Sequence, residues 1–185
     1  MVPTASAQAG GENALMNATI KHAFQLRAAE PRDVPAIVGL IRELAEFEQL
    51  AHLVRVTPEK LHPHLFGPRP AAEAIVVEAG GAELIGFALF FTNFSTFLAQ
   101  PGIYLEDLYV KPAHRGSGIG EAVLRRLAQL AVERDCGRFE WSVLNWNAAA
   151  IGFYERMGAT VMQDWRMCRV TGDRLQALAG VASEG

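Results

Sequence analysis

Cysteine is scarce in this chain: Cys136 and Cys168 are the two among 185 residues, with no Cys-x-x-Cys and no tight Cys/His cluster. That scarcity argues against a zinc site and a disulfide framework, and both thiols read as buried. The five histidines are scattered, and His62-Pro63-His64 has no third ligand close in sequence, so it reads as a solvated loop. No metal is expected. Neither sign of charge is in excess. The net charge is −3, without the basic stripe of a nucleic-acid binder or the run of like charges of an acidic tail. No stretch approaches the roughly 18 apolar residues of a membrane span. Residues 1–21 also lack the basic start and ~7–15 apolar residues of a secretory signal. They read as a disordered leader before a cytoplasmic domain over 22–181, with 182–185 as a tail. No internal repeat or low-complexity segment is visible.

What is present suits one globular domain: 50% hydrophobic and 20% charged residues, enough to build a core. Phe24-Gln25-Leu26-Arg27 alternates as a short strand. Pro31 and Asp33 open a helix whose apolar face is Val34, Ile37, Val38, Ile41 and Leu44, running to about Phe47. Glu43, Glu46 and Glu48 crowd its C-terminal end, against the helix dipole, as either a solvated face or a patch for a cationic ligand. Thr57-Pro58 reads as an N-cap and first helical position. Runs 74–79 and 83–92 are strands joined by Gly80-Gly81. Residues 93–102 read as a loop and 103–110 as a strand. Beyond them come a helix over about 118–134, a strand over 138–144, a helix over about 147–157, a strand over 161–170 and a short final helix. This order predicts an α+β (mixed α/β) fold: a mixed sheet of about six to seven strands with helices on both faces.

The segment Val110-Lys111-Pro112-Ala113-His114-Arg115-Gly116-Ser117-Gly118-Ile119-Gly120-Glu121 carries the chemistry. Glycines let backbone N–H groups approach a ligand, and the start of a helix adds partial positive charge, so the turn suits a diphosphate. A Walker loop would need Gly-Lys-Ser/Thr, and Gly120 is followed by Glu121. The spacing Gly-x-Gly-x-Gly, with three strands upstream, also departs from the dinucleotide fingerprint.

Arg115-x-x-Gly118-x-Gly120 resembles the acetyl-CoA signature of the GNAT superfamily, the Gcn5-related N-acetyltransferases, and the resemblance extends over about residues 24–179. Within it the chain resembles the diamine (spermidine/spermine) acetyltransferases. The stretches that carry this are 41–48 (Ile-Arg-Glu-Leu-Ala-Glu-Phe-Glu), 104–110 (Tyr-Leu-Glu-Asp-Leu-Tyr-Val), and Trp146-Asn147 followed by Phe153-Tyr154.

The resemblance implies acetyl-CoA as cosubstrate and acetyl transfer to a primary amine of a diamine or polyamine. Backbone groups of Arg115, Gly116, Ser117, Gly118, Ile119, Gly120 and Glu121 would hold the diphosphate. Leu108, Tyr109 and Val110 would pair with the pantetheine arm, and Asn147 would contact it. Tyr154 would be the general acid, protonating the thiolate. Glu106 is the candidate general base, and if the strand is regular Asp107 faces the other way, as a structural or substrate-binding residue. Phe47 and Glu48, with Glu106, would bind the amine. Two departures weaken the case for a long polycation: Ser95 and Phe97 stand around the family's acidic and tryptophan positions, and only Gln163 and Asp164 lie near its later glutamate. The alternatives are another amine such as thialysine, and a non-catalytic acyl-CoA sensor. The resemblance also implies a homodimer, with no nucleic-acid or membrane partner.

Overall fold

The structure, a computed structural model, describes residues 24–180. The leader and tail expected from the sequence lie outside the described residues. Two compact units are present, divided between Ser142 and Val143.

The first unit is built on a five-stranded sheet in the order β1 (Phe24–Ala28), β2 (Glu73–Ala79), β3 (Leu84–Ser95), β4 (Gln100–Val110) and β5 (Arg138–Trp141). Neighbours are antiparallel except the last pair, β4 and β5, which is parallel. Helix α1 (Val34–Phe47) follows a 3-10 turn at Pro31–Asp33. Helix α2 (Pro58–Phe66) starts where Thr57 caps it, accepting from the Lys60 N–H. Helix α3 (Ile119–Glu133) joins β4 to β5. In the second unit α4 (Ala148–Arg156) and α5 (Asp173–Leu178) are the regular elements.

Strand alternation sorts the core onto two faces. Val76, Phe87 and Tyr109 point to one, where they pack with Val34, Ile37, Val38 and Leu40 of α1 and Leu61 and Leu65 of α2. Ala88, Phe90, Ile103 and Leu105 are buried on the other, as are Ile119, Val123, Leu124, Leu127 and Ala131 of α3. The Arg134 guanidinium, just past α3, lies 5.9 Å from the Phe90 ring centre, so α3 belongs to that face. Each fully buried aliphatic or Phe side chain contributes ~1.5–3 kcal/mol over exposure. With both faces covered, β4 is held at fixed depth. Gly86 brings β3 close to it: a Cβ there would meet the Tyr109 carbonyl oxygen at 2.7 Å.

Several expectations are corrected. The sheet has five strands, not six or seven. Residues 161–170 form no strand, because alternation marks β-propensity but a strand exists only through a partner's ladder; Met162, Trp165 and Met167 are exposed. Residues 93–102 are mostly a hairpin, paired down to Ser95 opposite Gln100. The fifth strand stops at Trp141. His62 and His64 lie on α2 rather than a loop, both exposed. Cys136 is partly buried and Cys168 exposed, against the expectation that both are buried. No described helix is long and apolar enough to cross a membrane.

Candidate active site

The chain leaves β4 with the Lys111 N–H donating to the Ile85 carbonyl at 2.8 Å, then makes a 3-10 turn at Pro112–His114. The Ser117 hydroxyl donates to the His114 carbonyl at 2.6 Å, and Arg115 Nε donates back to the Val110 carbonyl at 2.9 Å. Gly116 and Gly118 have φ of 77° and 84°, a left-handed backbone that glycine adopts without strain. Around both, the place of a Cβ is open space. Gly118 caps α3, whose first amides have no partner within the helix, and buried Ile119 anchors that end. Gly120 lies within the first turn. Glu121 is tied by its side chain to Arg125 at 2.8 Å, leaving its backbone as its contribution to the turn. A glycine turn with free N–H groups at the start of a 15-residue helix is chemically suited to an anionic group such as a diphosphate.

Beside this turn β4 has an open edge. β5 pairs with it only over Gly102–Leu105, so no described strand lies along residues 106–110 on that side. Since Lys111 donates to β3, alternation turns the backbone groups of Leu108 and Val110 toward the open edge. Tyr109 differs: its backbone faces β3, and its side chain is buried under α1, its hydroxyl donating to Glu43 Oε2 at 3.1 Å. Burial, with Glu43 beside it, raises the Tyr109 phenol.

The strand is not regular where the sequence reading assumed it was. Leu89 pairs with Asp107 but Phe90 with Leu105, so Glu106 is the extra residue of a β-bulge, a feature that re-aims side chains. Simple alternation therefore does not separate Glu106 from Asp107. Asp107 shares the face of Leu89 and Tyr109, the side of α1, and is partly buried; Glu106 is exposed. Burial first, then the charges of Glu106 and Glu48, push the Asp107 carboxyl up to about 6. Burial also raises Glu48. Farther along this face Phe91 and Tyr104 stack, ring centres 5.2 Å apart, and the Tyr104 hydroxyl is 2.7 Å from Ser142 Oγ.

Phe47, at the end of α1, has the Arg115 guanidinium 4.8 Å from its ring centre, and the same group lies 5.5 Å from the Tyr109 ring centre. The structure thus joins a residue read as amine-binding to one read as diphosphate-binding. At the hairpin tip Ser95 is buried and accepts from the Leu98 N–H, whereas Phe97 is 96% exposed. In the second unit, Asn147 caps α4 by accepting from the Ala150 N–H at 3.2 Å. Tyr154 lies seven residues on, its ring centre 5.4 Å from that of Phe153. Among the described residues no group of three or more His, Cys, Asp or Glu could hold a metal ion.

Sequence reasoning did not find the Glu43–Tyr109 bond, the Arg115–Phe47 contact or the exposure of Asp107 to two other carboxylates. Alternation along β4 carried a hint of the first; the others depend on the bulge and on packing.

The model of the Acetyltransferase (GNAT) family matches residues 41–159. The chain is similar to L-ornithine N5-acetyltransferase of Arabidopsis thaliana, 35% identical over 83% of this chain and 87% of that protein. It is similar also to thialysine N-epsilon-acetyltransferase of Mus musculus, 35% identical over 84% and 97%. Spermidine/spermine N(1)-acetyltransferase-like protein 1 of Homo sapiens is 32% identical over 89% of this chain and 25% of that protein. Among solved structures, an integron cassette protein from V. cholerae superposes with a TM-score of 0.72 at 23% identity, covering 85% of this chain and 98% of that one. That likeness bears on fold alone.

Proposed function

Since the chain belongs to the GNAT acetyltransferase family and is an N-acetyltransferase drawing on acetyl-CoA, we propose that its acceptor is the terminal primary amine of a small alkylamine. The class covers diamines, polyamines and amino acids with an amine-ended side chain. The observation that carries it is the partly buried Asp107, on which the charges of both Glu106 and Glu48 act, with Glu48 next to Phe47 in the chain. Carboxylates and an aromatic face recognise an alkylammonium by charge and by cation–π attraction. Residues 93–102 contain no Asp or Glu, which favours a short amine of the ornithine or thialysine kind over a long polycation. The names of the 35%-identical relatives point the same way.

The reaction joins the amine nitrogen to the acetyl carbonyl carbon and breaks that carbon's bond to sulfur. The turn at 116–121 holds the diphosphate, and the open edge at Leu108 and Val110 takes the pantetheine arm as an added strand. An edge N–H donates to the carbonyl oxygen as charge develops, an interaction worth ~2.7–4 kcal/mol where comparable donors have been removed. An alkylamine resembling lysine has a pKa near ~10.4, so a carboxylate must take its proton before attack. Glu106 and Asp107 are the candidates, directly or through water; burial and the neighbouring carboxylates push Asp107 up to about 6, toward the range that suits a general base at neutral pH. The Tyr154 hydroxyl then protonates the departing thiolate. A homodimer is part of the proposal, and sedimentation equilibrium showing a monomer would contradict it.

The test is thiol release from acetyl-CoA with ornithine, thialysine, putrescine, spermidine and spermine. Turnover with the amino-acid amines above the others supports the reading, and turnover led by spermine moves it to long polycations. Coenzyme A binding with no turnover across the panel contradicts the acceptor class and favours a sensor. Tyr154→Phe is expected to keep coenzyme A affinity while lowering kcat by ~100-fold; an unchanged kcat would make the tyrosine ordinary packing.

A further inference from the structure

We propose that Arg115 covers the face of Phe47 that an alkylammonium would use, and thereby couples amine binding to acetyl-CoA binding through one guanidinium. The proposal rests on the reading above and deepens it. Arg115 is fixed at Nε by the Val110 carbonyl, 2.9 Å away, and its guanidinium spans the two rings at 4.8 and 5.5 Å. Of those rings Tyr109 is the anchored one, 4% exposed and tied to Glu43, while Phe47 is 42% exposed and faces the solvent from which an amine arrives.

An aromatic face attracts a cation through its quadrupole, and two like charges over the same face repel. An alkylammonium approaching Phe47 must therefore displace Arg115 or find it already displaced. Arg115 also immediately precedes Gly116, in the turn suited to a diphosphate. A guanidinium recognises phosphate oxygens by paired, charge-assisted hydrogen bonds, so a diphosphate in that turn draws it off the ring. The Val110 carbonyl would then be released to the open edge that accepts the pantetheine arm. Acetyl-CoA thus uncovers the amine site, and by reciprocity a bound amine raises cofactor affinity by the same factor.

The alternative is that Arg115 only ties the β4–α3 connection together. Nitrogen-15 spectra of the arginine Nε–Hε groups in the full chain separate the two. The Arg115 resonance, assigned by its loss in Arg115→Lys, is expected at a ring-shifted upfield position. It should move downfield in Phe47→Leu and on saturation with coenzyme A. Calorimetry is expected to show thialysine binding about 5-fold or more tighter with coenzyme A present, falling to less than about 2-fold in Arg115→Gln at saturating coenzyme A. An Arg115 signal that stays upfield under saturating coenzyme A overturns the proposal. So does a thialysine affinity indifferent to coenzyme A, or full coupling in Arg115→Gln. If coenzyme A moves Arg115 but thialysine, ornithine and spermidine all fail to bind, the release of Phe47 stands and the acceptor class fails.

Discussion

Asp33 and Asp107 are both withdrawn from water, and their surroundings push them in opposite directions. Asp33, at the entrance to α1, receives two hydrogen bonds from the Arg27 guanidinium at 2.6 and 2.9 Å and one from the Glu30 N–H at 2.7 Å. Arg27 in turn binds Glu78 at 2.8 Å, so the network ties β1 to β2 and both to the start of α1. Its carboxyl is held below the usual carboxylate range by Arg27. Asp107 is partly buried, and burial together with the charges of Glu106 and Glu48 pushes its carboxyl up to about 6. A carboxylate built for the frame is saturated with donors. One in the proposed amine site is short of positive charge, which a cationic substrate would supply.

Four experiments probe the two carboxylates and their surroundings. The largest effect belongs to Asp33→Asn, expected to cost ~3 kcal/mol of folding stability because it leaves Arg27 short of its main partner, with the KM for the amine unchanged. Urea unfolding and steady-state kinetics check both. Next, Asp107→Asn is expected to lower kcat/KM by ~100-fold. It should also raise stability above pH ~6 by on the order of 1 kcal/mol, since it removes a charge that the folded chain disfavours. Equal losses of stability in both variants would erase the distinction.

The third concerns pH. Asp33 has a depressed folded value, so its stabilisation is complete at neutrality and is lost as pH falls below the ordinary Asp range near ~4. Asp107 has a raised one, so its stabilisation is present below ~4 and is lost as pH rises through about 6. Thermal melts from pH 3 to 8 should show the low-pH limb shrink in Asp33→Asn and the loss toward neutrality shrink in Asp107→Asn. In kinetics, kcat/KM should fall below about 6 in the wild type and Asp107→Asn should lose that limb; a limb that persists in Asp107→Asn would contradict Asp107 as the base. The smallest effect is expected from Glu48→Gln: a rise in the amine KM of about 5-fold with kcat nearly constant, the scale of one partly exposed ion pair.

How much of this could be read in the sequence follows from how local each feature is. The Thr57-Pro58 helix start, the Gly116–Gly118 turn and the α3 face at Ile119, Val123 and Leu127 depend on residues a few positions apart, and the structure has them. The missing strand at 161–170 and the hairpin at 93–102 depend on which segments pair, which alternation within one segment cannot decide. The bulge at Glu106 belongs to two strands at once: β3 and β4 fall out of step between Phe90 and Leu89. That single slip leaves Glu106 as the unpaired extra residue and Asp107 on the face of α1. Phe47 was legible as an amine-binding candidate and Arg115 as a phosphate-turn residue, but their contact was not, since 67 residues of intervening chain must fold to make it.

The most direct test of the central claim is to supply acetyl-CoA carrying a carbon-13 acetyl group and ornithine or thialysine, and to identify the product by mass spectrometry and NMR. The expected product is a singly acetylated amino acid with the label on the side-chain terminal nitrogen, formed in step with free coenzyme A. Coenzyme A binding with the label left on the thioester, for these amines and the diamines alike, would contradict it.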